Sequence, residues 1–282
     1  MQSAIKPLSA CTMNEILRAW NDGFEGYFTD VRMNVDQFVK RMAFEDLSAS
    51  HSFLLFEGTA PIGIVMNGIR QIEDTKVAWN GGTGVAKAYR GKGIGSRLIE
   101  ESLDIYKKED VELATLESIA ENRAAIRLYE SAGYDVTDRL RLFNKAGAVN
   151  FENDGHFHFN RGPASHVAGL SFYQKSYPWQ NHWQSLKDGQ SIIVKNKEHP
   201  VAYALFKQSP DQSTTVLYQC EVDPDFPDPK GVIGQLLSNV FTSGRNAVFD
   251  MPESNTIVTG FLENNDFKMQ LEQVFMVRTF EG

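Results

Sequence analysis

Val85-Ala86-Lys87-Ala88-Tyr89-Arg90-Gly91-Lys92-Gly93-Ile94-Gly95-Ser96 joins two segments of opposite periodicity. Upstream, Val77, Ala78 and Trp79 through Val85 read as a β-strand; downstream, Leu98, Ile99, Leu103 and Tyr106 fall at helical spacing. Glycines let successive backbone N–H groups turn toward one point, and a following helix adds its positive N-terminal end. The stretch is an anion-binding device, and a pyrophosphate suits it.

The spacing narrows which pyrophosphate. A Walker loop needs Ser or Thr after Gly-Lys, and here Gly91-Lys92 is followed by Gly93. The dinucleotide fingerprint needs a third glycine three residues after the second, and Ser96 stands at that place. What remains is Arg90-x-x-Gly93-x-Gly95. Downstream, Leu113–Ser118 reads as a strand, and Asn122-Arg123-Ala124-Ala125-Ile126-Arg127-Leu128-Tyr129-Glu130-Ser131-Ala132-Gly133-Tyr134 as a short helix ended by glycine.

Together these motifs resemble the GNAT acetyltransferases, whose coenzyme A loop is Arg/Gln-x-x-Gly-x-Gly/Ala and whose later helix is Asn-x-x-Ala-x-x-Leu-Tyr-x-x-x-Gly-Phe/Tyr. The resemblance implies an α/β fold: a mixed sheet flanked by helices and split at the strand that carries Val85. It implies acetyl-CoA as acyl donor. Arg90, Gly91, Lys92, Gly93, Ile94, Gly95 and Ser96 would hold the pyrophosphate. Thr83, Gly84 and Val85 would lie along the thioester and pantetheine, and Asn122 would also touch the cofactor. Asn122 is equally a good helix N-cap.

By the same resemblance Tyr129 gives a proton to the departing thiolate, a sensible task for a phenol of ordinary pKa ~10. The other reading of Tyr129 is a core aromatic following Ile126 and Leu128. Glu117, at a strand end where some family members place a general base, would take the proton of the incoming ammonium. It also fits a solvated strand-end carboxylate. The run Gly81-Gly82-Thr83-Gly84 fits a strand that bulges to admit a chain-like ligand. Trp20, Asp22, Phe24, Glu25 and Tyr27 lie where the family shapes its acceptor pocket, and the aromatic cluster equally fits a core.

The 282-residue chain is long enough for two domains of roughly 100–200 residues each. Its net charge of -8 argues against a general nucleic-acid binder and favours a cationic acceptor. Cys11 and Cys220 make no disulfide framework, so a reducing compartment fits. No apolar run approaches the ~20 residues of a membrane span, and the N-terminus does not read as a signal peptide. The expectation is a cytoplasmic protein without a membrane partner. Self-association stays open. His156 and His158 alternate on one strand face with His166 nearby, but no further ligand at a recognisable spacing completes a metal site.

Ile5–Leu8, Ser52–Phe56 and Ile62–Ile69 read as strands, and Thr12–Trp20 and Val35–Met42 as helices, with Asn34 capping the second. Val136–Phe143 would close the first sheet, and residues 144–155 read as a linker or final hairpin. Strands at Ser191–Val194, Val201–Phe206, Thr214–Val222, Ala247–Phe249 and Leu271–Val277, and a helix at Val232–Phe241, make a second unit. The division predicted is 1–147, a catalytic domain, and 148–282.

The second unit is a degenerate repeat of the first. Asn122 to Tyr134 and Asn255 to Phe267 both span 12 residues (134 − 122; 267 − 255), placing Leu262 opposite Tyr129. Val222 corresponds to Val85, but Asp223-Pro224-Asp225-Phe226-Pro227-Asp228-Pro229 has lost the glycine nest. Proline lacks the N–H donor and aspartates repel a pyrophosphate, so no cofactor site is expected there. The tandem architecture is similar to that of mycothiol synthase-like acetyltransferases. The implied activity is acetyl transfer to a primary amine of a small molecule or peptide by direct attack in a ternary complex. The alternatives are a non-catalytic acyl-CoA sensor or an interaction protein.

Overall fold

The computed structural model describes residues 3–149, 151 and 157–280, so His156 lies outside the described residues. The chain divides into two units, Met1–Thr137 with Val274–Gly282, and Asp138–Gln273.

The first unit runs β1 (Ser3–Pro7), α1 (Met13–Gly23), α2 (Val35–Phe44), β2 (Phe53–Glu57), β3 (Ala60–Ile72), β4 (Thr75–Val85), α3 (Ile94–Lys108), β5 (Leu113–Ile119) and α4 (Arg123–Ser131). Capping boxes start the first two helices: Thr12 with Glu15, and Asn34 with Gln37. Both satisfy end N–H groups that the helix cannot. α1 buries Ile16, Ala19 and Trp20, and α3 buries Leu98, Ile99, Leu103 and Tyr106. That is the apolar stripe an amphipathic helix lays on a sheet.

The register of β4 positions the site. It pairs antiparallel with β3 from Val85 opposite Gly63 to Thr75 opposite Ile72. Gly82 faces Met66 and Asn80 faces Asn67, so Gly81 is an extra residue, a β-bulge. On its other side β4 pairs parallel with β5 only over Val77–Trp79 against Leu113–Thr115. Beyond Trp79 no pairing continues, and the two strands part.

The second unit contains β6 (Asp135–Ala146), β7 (Phe157–Pro163), β8 (Gln190–Asn196), β9 (His199–Gln208), β10 (Thr214–Val222), α5 (Pro229–Val240), β11 (Arg245–Pro252) and α6 (Thr256–Asn264), and the chain ends on β12 (Lys268–Thr279). Its strands lie in the order β6-β11-β10-β9-β8-β7. Short 3-10 turns at Ala164–Gly169, Trp179–Asn181 and Trp183–Ser185 fill a stretch where no regular element was predicted.

One expectation is corrected here. The strand at Val136–Phe143 does not close the first sheet: β6 pairs with β11, from Ala146 opposite Arg245 to Leu140 opposite Pro252. The strand next to β5 is β12. Its buried Val274 and Met276 complete a core of Ala78, Tyr106, Leu116 and Tyr134, while Phe143 of β6 joins the second unit's core. The first compact unit ends at Thr137 and takes up residues 274–282.

Candidate acyl-transfer site

The loop after β4 is built as a nest. Gly91 and Gly93 hold φ of +73° and +77°, a left-handed conformation that favours glycine. Gly93 is the N-cap of α3 and offers no side chain to its first turn, so the backbone N–H groups at Ile94, Gly95 and Ser96 are left for an outside acceptor. Gly95 leaves room of a different kind: a Cβ there would stand 3.0 Å from Leu128 Cδ2 on α4 and make that side chain shift.

Arg90 turns its side chain inward. Its Nε donates to the Val85 carbonyl at 2.9 Å and its Nη2 to the carbonyls of Gly23 (3.0 Å) and Glu25 (2.8 Å). The guanidinium thus ties the loop to the end of α1. Lys92 Nζ lies 5.3 Å from the Tyr89 ring centroid, and the Tyr89 hydroxyl donates to Glu57 at 2.8 Å. A groove of about 400 Å³ lined by Ser96, Ile99, Leu103, Leu128 and Arg278 runs from this loop between α3 and α4.

Where β4 and β5 part, several predicted residues meet. Tyr129 is 7% exposed, and its ring stands edge-on to Tyr134 with centroids 6.1 Å apart. Burial pushes its phenol up to about 12; a hydrogen bond with Thr83 works against that shift, while Tyr27 and Glu117 add to it. Tyr129 thus hydrogen-bonds Thr83, with Tyr27 and Glu117 near enough to act on its charge. The Glu117 carboxylate accepts the Trp79 indole N–H at 2.8 Å. Asn122 does cap α4, accepting the Ala125 N–H at 3.2 Å, and its side chain also hydrogen-bonds the half-buried Tyr27 phenol. Gly84 lies against Phe24, where a Cβ would stand 3.0 Å from the ring. Phe24 in turn stacks on Trp20 (4.3 Å) and meets Tyr27 edge-on (5.2 Å).

Trp79, Asn80 and Arg41 were not singled out from sequence. Each acts through a partner distant in the chain or through the bulge, and no local spacing marks them.

The second unit repeats the strand pattern and fills the gap. β10 and β11 pair parallel only from Thr214 opposite Arg245 to Leu217 opposite Val248. There Asn181 Nδ2 donates to both sides, to Tyr218 O at 2.6 Å and Phe249 O at 2.8 Å. Trp179 and Tyr177 are buried beside it, and the Tyr177 hydroxyl meets Met251 Sδ at 3.4 Å. Asn255, the counterpart of Asn122, donates to Tyr177 Oη, Cys220 O and Glu221 Oε1. The start of α5 is stopped by a carboxylate, Asp228 Oδ1 accepting the Gly231 N–H at 3.0 Å.

Asp250 stands five residues before Asn255, as Glu117 stands before Asn122 (255 − 250; 122 − 117). It is 1% exposed and hydrogen-bonded to Gln273, and burial pushes its carboxyl up to about 7. A carboxyl whose folded pKa exceeds its unfolded value costs stability as pH rises from about 4 to about 7, and the cost is constant above. Asp250→Asn, which keeps the shape without the charge, is expected to raise the melting midpoint by several degrees at pH 8 and hardly at pH 4. Equal shifts at both pH values would exclude this titration.

Among the described residues no helix is long and apolar enough to cross a membrane, and no group of three or more His, Cys, Asp or Glu is placed to hold a metal ion.

The family model of the GNAT acetyltransferases matches residues 13–134. N-alpha-acetyltransferase 30 of Schizosaccharomyces pombe is 38% identical over 67 residues, 24% of this chain and 45% of that relative, so less than half of its length is spanned. Among solved structures, a GCN5-related N-acetyltransferase from Sphaerobacter thermophilus superposes with a TM-score of 0.68 at 11% identity, over 99% of this chain and 95% of that one. A tandem GNAT protein from the clavulanic acid biosynthesis pathway gives 0.64 at 11% identity, over 99% and 98%. At such identities the likeness is one of fold. The GNAT acetyltransferase match lies in the first unit, and the chain as a whole has the fold of a tandem GNAT protein.

Proposed function

We propose that the first unit transfers the acetyl group of acetyl-CoA to a primary amine of a small molecule or peptide by direct attack, and that the second unit binds no coenzyme A. The observation that carries this reading is one alignment. The glycine nest follows the end of β4 that has parted from β5, where Thr83 hydrogen-bonds Tyr129 and Glu117 acts on its charge.

In this reading the donor's pyrophosphate lies on the N–H groups of Ile94, Gly95 and Ser96, and its adenosine end follows the groove beside Leu128. The pantetheine adds along Val85 and Gly84, with the thioester oxygen at the Thr83 amide. One such preorganised donor is typically worth roughly 3–4 kcal/mol. The amine attacks the thioester carbon, the C–S bond breaks, the thiolate takes the Tyr129 proton, and the proton shed by the new amide nitrogen returns through water to the Tyr129 oxygen. Glu117, directly or through water, takes the proton the ammonium must lose. Phe24 and Tyr27 would form the acceptor wall.

Calorimetry on the whole chain is expected to give about one coenzyme A per chain, and thiol release should appear with some members of an amine panel. Two equivalent sites would overturn the assignment of the second unit. Binding without thiol release from any amine would favour the sensor.

Glu117→Gln keeps an oxygen for the Trp79 N–H and removes the base. It should lower kcat/KM roughly 10-fold or more near neutral pH, with partial recovery as the amine deprotonates at higher pH. A pH–rate profile of the wild-type shape in Glu117→Gln would leave Glu117 as the anchor of Trp79.

A further inference from the structure

Arg41 on α2 reaches the bulge of β4 across 40 residues of sequence, its Nη2 donating to the Gly81 carbonyl at 2.5 Å. The same guanidinium lies 4.9 Å from the Trp20 ring centroid and 5.9 Å from that of Trp79, and its Nε donates to Glu45 at 2.8 Å. On the far side of the same peptide bond, the Gly82 N–H donates to Asn80 Oδ1 at 3.0 Å. Both polar groups of the Gly81–Gly82 peptide are thus held by side chains, one of them charged. The glycines fit because nothing larger would: a Cβ on Gly81 would stand 2.7 Å from Trp79 and one on Gly82 2.7 Å from Trp20, the two rings on which the guanidinium rests. Asn80 continues the lock to Thr83, whose hydroxyl it meets at 2.9 Å, and Trp79 continues it to Glu117 at 2.8 Å.

We propose that Arg41 is a positioning residue for acyl transfer: by fixing the plane of the Gly81–Gly82 peptide it aims the Thr83–Val85 leg of β4 at the thioester. The proposal rests on the acyltransferase reading of this site. A bulge re-aims the strand that carries it, and a charge-assisted hydrogen bond to its carbonyl makes that aim a single one. Oxyanion donors act only when held where the charge develops, so a small rotation of this leg costs turnover more than capture of the donor. Capture depends on α3, whose nest Arg41 does not touch.

The test uses the whole chain with acetyl-CoA labelled with carbon-13 at the acetyl carbonyl. In the wild type, binding should move the carbonyl resonance downfield as the thioester oxygen meets its donor. Arg41→Met keeps the stem over the two indoles and removes the donors. It should lose most of that shift and lower kcat for thiol release at least roughly 10-fold, with KM for acetyl-CoA within about threefold. Arg41→Lys keeps the charge and one reaching donor, guards against a folding defect in the methionine variant, and should recover part of both. A full downfield shift with wild-type kcat in Arg41→Met, or in Arg41→Lys should the methionine variant not fold, would overturn the proposal, as would a loss confined to melting temperature or to coenzyme A affinity. Failure of the acyltransferase reading looks different: the wild type itself would then release no thiol with any amine, or leave the labelled carbonyl unshifted.

Discussion

Tyr129→Phe should lower kcat by roughly 10²–10⁴-fold and leave coenzyme A affinity nearly unchanged. The variant keeps the ring, which is where the packing lies: Tyr129 is 7% exposed and meets Tyr134 edge-on. What it deletes is the phenolic proton, at the place where Thr83, Tyr27 and Glu117 converge. Burial has pushed that phenol up to about 12, so it stays protonated across the working range and is always available as a donor. The same desolvation raises the basicity of a thiolate formed beside it, which keeps donor and acceptor matched. A second outcome follows from the sign of the shift. Since Tyr129 ionises only near pH 12, the wild-type pH–rate profile should show no falling limb from this residue below about pH 11. Steady-state kinetics with an accepted amine, paired with calorimetry for coenzyme A, checks both. Turnover that survives intact in Tyr129→Phe would make the tyrosine a core residue and hand the proton to water.

What the sequence disclosed was local, and what it hid was not. The nest from Arg90 to Ser96 and the helix from Asn122 to Gly133 are continuous segments, so glycine and capping chemistry marks them without reference to the rest of the fold. The bulge could be anticipated because Gly81-Gly82 has no use inside a regular strand. The strand that completes the first sheet could not. β6 and β12 each follow a short helix and alternate in the same way, and only three-dimensional packing decides that Val274 and Met276 fill the first core while Phe143 fills the second. Asn181 was equally invisible. Its bonds to Tyr218 and Phe249 span 37 and 68 residues, and nothing near it in the chain announces a plug. The loss of the glycine nest after Val222 was legible; the side chains that took up the vacated gap were not.

The contrast between the two units gives the other large expected effect, at Gly93 and Gly95. Gly93→Asp should abolish measurable coenzyme A binding for three reasons acting together. It forces a side chain onto a backbone at φ +77°, it supplies α3 with the capping carboxylate it lacks, and it sets a negative charge where a pyrophosphate would lie. The second unit already carries a capping carboxylate at the matching place, on a backbone of ordinary φ. Asp228 caps α5 by accepting the Gly231 N–H, so the second unit holds on its own scaffold what the substitution would build on the first. Gly95→Asp adds its charge inside the first turn of α3, and its Cβ, 3.0 Å from Leu128 Cδ2, makes that side chain shift by a few tenths of an ångström. Gly95→Ala separates the two terms. It brings the same contact without the charge, and should weaken binding by less than Gly95→Asp while shifting stability comparably. Calorimetry with coenzyme A and thermal unfolding on the same samples measure each pair. Retention of one coenzyme A per chain at wild-type affinity in Gly93→Asp would mean the nest does not hold the pyrophosphate, and the binding groove would have to be sought elsewhere in the molecule.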